Sequence, residues 1–299
     1  MIAVCWRRWW GVGGGGGGSG ETTASPTSNT PNPVPTPTPR PPFVYNTTEF
    51  RTSEALSQIN AQIAYLDYSF GNGVLVAVID SGVTEVPELE GQLHPNSTNI
   101  VTSDPDDIDD FSGHGTAMAG IIAAKRDLDT NNNPFNMHGV AFEAEILNIN
   151  ATNATNCSDL ENCSFFHSDT AKAYDYAVEN NVDVINESLG SDSFSAVSLQ
   201  LAMQRAVEAD IVIVVPAGNI EAGAPAGTGD SAQLSSAVAY APWANGQIII
   251  AGSVDRDNTI SDFSYRAGVD AMNVYLMAPG SDIIAPDYDI NSGYDYIQT

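Results

Sequence analysis

Positive charge is scarce in this chain: ten lysines and arginines stand against 37 acidic residues, a formal net charge of -27 over 299 residues. Such a surface repels phosphate backbones and anionic lipid heads, which argues against nucleic-acid binding. It suits solubility outside a cell. Long apolar runs are also missing. None approaches the roughly 18 uninterrupted residues of a membrane-spanning helix. Only three cysteines are present, and they say little about the fold. Cys157 and Cys163 lie six apart in a polar stretch, where a small-loop disulfide is expected if the protein is exported and two free thiols if it is not. A metal site there is not expected. His167 is the one nearby nitrogen ligand, and the spacing fits no zinc pattern. Global disorder is excluded by the 42% hydrophobic content.

The first 42 residues read as a non-globular spacer. Six glycines (Gly13 to Gly18) lead into a Ser/Thr/Pro tract ending in Pro41-Pro42. Glycine tracts form flexible coil, and alternating Pro-Thr favours extended polyproline II. A meaningless low-complexity tail is the alternative. Cys5 before a glycine-rich stretch is similar to the start of a mature lipoprotein, although the four residues before it fall short of an apolar signal core of about 7–15 residues. Residues 43–299 read as one globular domain, long enough to bury a sizeable core. Leu56, Ile59, Ile63 and Tyr65 recur at near-helical spacing, which predicts helical turns packed on the domain edge.

Val74-Leu-Val-Ala-Val-Ile79 is a β-branched apolar run bounded by Gly73 and Gly82. It predicts a strand buried on both faces, with Asp80 at its carboxyl end. In open parallel sheets the ligand crevice lies beyond those ends. Asp80 is therefore a candidate for chemistry, or a turn carboxylate. An acidic loop, Asp104 to Asp110, follows. With no regular calcium-ligand spacing it reads as solvated rather than metal-binding. Next, Gly113-His114-Gly115-Thr116 opens a stretch of small and apolar residues, expected as a buried helix. Glycines beside His114 let a substrate approach the imidazole, making it a candidate general base.

Val78-Ile-Asp80-Ser-Gly82 followed by Gly113-His114-Gly-Thr116 with Ala119-Gly120 resembles the subtilisin-like serine proteases. The chain order Asp, His, Ser is that family's. The resemblance covers residues 48–299 and implies an α/β fold, a doubly wound and mostly parallel sheet flanked by helices, with serine endopeptidase activity on protein or peptide substrates. It makes Asp80 the residue that orients and stabilises the imidazolium, His114 the base, and Asn219, after the apolar run ending in Ala217-Gly218, the oxyanion-hole asparagine. Ser188-Leu189-Gly190 would line the substrate cleft. Glu187 departs from the neutral residue usual at its place. Residues 247–255, 260–264 and 275–283 look like the two strands and the Ala-Pro-Gly segment that precede the nucleophile.

The family's Gly-Thr-Ser-x-Ala-x-Pro is absent from the 299 residues. Ser231 has no second glycine beside it, Ser188 is a cleft residue by position, and Ser264 and Ser292 lack suitable flanks. The chain is therefore expected to be incomplete at its C-terminus and inactive as written, or else a peptide-binding pseudo-protease. The family needs no cofactor, with structural calcium allowed. The glycine run and Pro-Thr spacer are similar to exported autotransporter subtilases. That likeness places the domain outside the cell or at the bacterial surface, with outer-membrane or lipid anchoring through segments not in the chain.

Overall fold

The computed structural model describes residues 43–102, 104–126, 137–153, 157, 163–191, 193–221, 224–225, 228–289 and 293–298; the proposed spacer of residues 1–42 lies outside them. Three short helices come first, α1 (Thr48–Thr52), α2 (Glu54–Gln58) and α3 (Ala61–Leu66). They place Phe50, Leu56 and Tyr65 in an aromatic cluster with Phe70 and Phe142. Ile63 does not join them and is 63% exposed. Asn60 takes a left-handed backbone between α2 and α3, which breaks the single helical phase that the spacing of Leu56, Ile59 and Ile63 suggests.

The apolar runs then form parallel strands: β1 (Leu75–Asp80), the short β2 (Thr98–Asn99), β3 (Glu145–Asn150), β4 (Val184–Glu187), β5 (Val212–Pro216), β6 (Ile248–Val254) and β7 (Tyr275–Pro279). Among the described residues they form one sheet in the order β2-β3-β1-β4-β5-β6-β7, every pairing parallel. Side chains alternate along each strand. Val76 and Val78 of β1 meet helix α4 (His114–Ala123) through Ala119 and Ile122. Ala77 and Ile79 face α5 (His167–Glu179) and α6 (Val197–Glu208) through Tyr174, Ala177, Ala202 and Met203. With helices on both faces the central strands β1, β3 and β4 are buried almost throughout, as strands that read as apolar runs are expected to be, whereas the edge strand β7 is partly exposed.

Residues 260–264 are not a strand. They touch their neighbours through isolated bridges, Val254 with Ile260 and Asn219 with Ser264. An antiparallel pair, β8 (Ile284–Asp289) and β9 (Gly293–Gln298), closes the described fold. Pro286 of β8 packs where a side chain on Gly120 of α4 would stand. Cys157 and Cys163 are joined in a disulfide.

Candidate active site

Strands β1, β4 and β5 are adjacent and parallel, so their carboxyl ends share one sheet edge. Asp80 ends β1, Glu187 ends β4, and Ala217-Gly218-Asn219 follows β5. Topology alone thus gathers residues more than a hundred positions apart, at the edge where open α/β sheets bind their ligands.

His114 is the first residue of α4. Its Nδ1 lies 2.8 Å from Asp80 Oδ1 and 3.0 Å from Oδ2. Asp80 is fully buried, whereas the imidazole is 34% exposed. The Asp80 carboxylate pushes the His114 pKa up to about 9, against the opposing effect of burial. The Nδ1–H therefore donates to the carboxylate, and Nε2 is turned to the cavities that His114 lines. Such an approach needs glycine at position 115, because a Cβ there would stand 2.0 Å from the Gly82 carbonyl oxygen.

A second carboxylate holds the dyad from behind. The helix N-cap is Gly113, which has no side chain to offer. Asp110 caps in its place: Oδ2 accepts from Thr116 N and Thr116 Oγ1, each at 2.8 Å, and Oδ1 accepts from Ser112 N at 3.0 Å. Ser81 Oγ donates to Asp110 Oδ1 at 2.7 Å and sits 3.1 Å from Asp80 Oδ1. It also accepts from Gly115 N at 3.2 Å. Asp110 is 2% exposed, and burial raises its pKa from the usual carboxylate value. The acidic loop is therefore not solvated throughout. Its last residue turns inward because four orphan amides and hydroxyls at the start of α4 and the end of β1 require an acceptor.

Two cavities open beside His114. One, of about 260 Å³, is lined by His114, Ser188, Gly218, Asn219 and Ser264. The left-handed Gly218 turns the chain so that Asn219 reaches this rim, and Tyr265 N fixes the turn by donating to the Gly218 carbonyl at 3.0 Å. The other, of about 350 Å³, is lined by Asp80, His114, Ser188, Leu189 and Gly190 with Phe165, His167 and Leu199. The six candidate residues read from the sequence thus border one or other of these two cavities, which share His114, Glu187 and Ser188. Glu187 borders both cavities and is 7% exposed. Its Oε2 accepts from the Tyr174 hydroxyl at 2.5 Å, and burial pushes its pKa up to about 7.

Sequence reasoning missed Ser81, Asp110 and Thr116. The signal available for Asp110 was a helix opening on Gly113, which calls for an acceptor from outside. Among the described residues no group of three or more His, Cys, Asp or Glu is placed to hold a metal ion. No helix among them is long and apolar enough to cross a membrane.

The sequence pattern of the Subtilase family matches residues 71–298. The chain is 31% identical to a thermostable alkaline protease of Halalkalibacterium halodurans, over 80% of this chain and 54% of that protein. It is 33% identical to the major intracellular serine protease of Bacillus subtilis, over 72% and 60% respectively. With Subtilisin Savinase of Lederbergia lenta the identity is 31%, over 76% of this chain and 74% of that one. The chain thus spans little more than half the length of the first two. The crystal structure of MycP1 with the N-terminal propeptide removed superposes with a TM-score of 0.59 at 23% identity, covering 82% of this chain and 78% of that one. That likeness concerns the fold.

Proposed function

The chain belongs to the subtilase family, and from that premise we propose that its cleft is the substrate-binding and base-bearing part of a serine endopeptidase. The observation that carries this is the pairing of buried Asp80 with partly exposed His114, at 2.8 Å, opening on a cavity that Asn219 also lines. Asp80 keeps a proton on Nδ1 and leaves Nε2 to take one from an attacking hydroxyl. With its pKa near 9, His114 gains base function as the medium turns alkaline. Asn219 would donate its side-chain N–H to the oxygen that becomes negative in the tetrahedral intermediate. Ser188, Leu189 and Gly190 follow the end of β4 and would hold the substrate backbone alongside.

In this reading the nucleophilic serine is not among the 299 residues, since no Gly-Thr-Ser-x-Ala-x-Pro occurs in them. The chain alone then binds peptides and cleaves them at most roughly 10³–10⁴-fold faster than water does, the residual rate that binding and an oxyanion hole supply. The test is casein hydrolysis by the 299-residue chain and by the product of the whole gene, each with and without a serine-directed phosphonate. Turnover by the gene product, blocked by the phosphonate and absent from the chain, is expected. Phosphonate-sensitive turnover by the chain itself would overturn the assignment of the nucleophile.

The Cys157–Cys163 disulfide and the net charge of -27 favour a place of action outside the cytoplasm, as does the likeness of the spacer to exported autotransporters. Alkylation of the two cysteines in intact cells, with and without prior reduction, tests this. Labelling without reduction would contradict it.

A further inference from the structure

An acid, Glu187, lines the larger cavity beside His114. Alternation along β4 sends Glu187 to the same side as Ile185, toward α5 and α6, and there its carboxyl meets Tyr174 of α5. The cavity walls are mixed. Phe165, Leu189 and Leu199 offer apolar surface, and Thr170, Ser195 and Ser235 add hydroxyls. None of the residues lining it is a lysine or arginine. The other titratable groups facing the cavity are the Asp80–His114 pair from β1 and α4 and His167 from α5. His167 Nδ1 accepts from the amide of Ala196 at 3.2 Å. The nearest cations on the packed helices are engaged elsewhere: Lys172 pairs with Asp169 and Arg205 with Asp175, both at the surface. Among the described residues, Glu187 is thus a buried carboxyl bonded to a phenol, with no lysine or arginine in its cavity and with His114, a cation of the lining, already paired with Asp80.

We propose that Glu187 is a specificity determinant, making this cavity a subsite for the lysine or arginine side chain of a bound peptide. The inference rests on the reading of the cleft as a peptide-binding site. The methylene stem of the incoming side chain packs on Leu189, Leu199 and Phe165, as long basic side chains do against apolar surface. Its charged head reaches the carboxyl and supplies the counter-ion that burial withholds. Tyr174 keeps its hydrogen bond, because the carboxylate has two oxygens and Oε2 alone accepts from the phenol. A neutral side chain gains only the packing, and an acidic one meets like charge. The strongly negative surface draws cationic peptides toward the cleft.

The group titrates where the effect is measurable. Burial holds Glu187 at a pKa of about 7, so the empty subsite is largely neutral in mild acid and charged in mild base. Cation selection is therefore lost as the pH falls through about 7. Near that pH, binding a lysine side chain expels the Glu187 proton.

The experiment uses the 299-residue chain and alanine-based pentapeptides that carry lysine, norleucine or glutamate at one position in turn. At pH 8.5 one position is expected to show lysine binding about tenfold more tightly than norleucine, the factor typical of one charge-assisted contact. That ratio should fall towards one at pH 5.5, and also in Glu187→Gln at pH 8.5, a variant that keeps an acceptor for Tyr174. Calorimetry near pH 7 in two buffers of different ionisation heat should register proton release with the lysine peptide and none with norleucine. If peptides bind but lysine is not preferred, or the preference survives Glu187→Gln, the inference fails while the cleft reading stands. If no peptide binds at all, both fall.

Discussion

Asp110 accepts from both the amide and the hydroxyl of Thr116, each at 2.8 Å, and so caps from outside the helix that begins at His114. Removing the carboxyl takes the acceptor from those donors and from Ser112 N, and leaves Ser81 Oγ with Asp80 Oδ1 at 3.1 Å in its place. Asp110→Ala should cost about 1–2 kcal/mol as a lost cap. For a domain of this size that lowers the melting temperature by about 2–8 °C, to be read by circular dichroism. It should also loosen the register between His114 and Asp80, which an altered His114 titration would report.

Gly115 lets α4 approach the turn after β1 closely, with the Gly82 carbonyl oxygen 2.0 Å from where a Cβ would stand. The obstacle is backbone, so it cannot swing away. Gly115→Ala is expected to destabilise by about 3 kcal/mol, the upper end for overpacking, although alanine is the better helix former. A urea midpoint unchanged from the parent chain would refute the close packing described for this junction.

His138 is 2% exposed, rests edge-on against Phe142, and donates from Nδ1 to the Gly139 carbonyl at 2.9 Å. Burial pushes its pKa down to about 4, below the unfolded value near 6.5. Because the folded state favours the neutral ring, this stabilisation is present above pH 6.5 and is lost as the pH falls through 4. At about 1.4 kcal/mol per pH unit, acidification from pH 7 to 4.5 should cost the parent chain about 2–3 kcal/mol at this site. His138→Phe should lose that part of its acid sensitivity, while being weaker at pH 7 for want of a donor to Gly139. Equilibrium urea unfolding at the two pH values measures both.

Much of this site is legible in the amino-acid sequence. Asp80 and Asn219 each follow a β-branched apolar run, and parallel strands buried on both faces leave such runs unbroken. His114 stands out because glycines flank it at the start of a small-residue helix. The environment of Glu187 cannot be read the same way. Its position after Val184-Ile-Asn is plain, but its burial against Tyr174 depends on α5 crossing the sheet at that height. Asp110 is hidden for a related reason. In a run of acids nothing local distinguishes the one that tertiary structure turns inward. The β8–β9 pair is obscured by Pro286, which cannot donate in a ladder and is tolerated where a strand has a free side.

Titration of the imidazole by NMR decides whether Asp80 makes His114 a base at the mouth of a peptide cleft. The spectrum of the 299-residue chain, with His114 assigned through His114→Gln, should give a pKa near 9. In Asp80→Asn the chief cause of that elevation is gone while burial remains, so the value should fall to about 6.5 or below. Since the folded pKa is raised, the stability lent by the Asp80–His114 pair is full below about pH 6.5 and lost as the pH rises through 9. The unfolding midpoint of the parent chain, relative to Asp80→Asn, should decline across that window. An unbound His114 that titrates near 6.5 and does not respond to Asp80→Asn would contradict the claim.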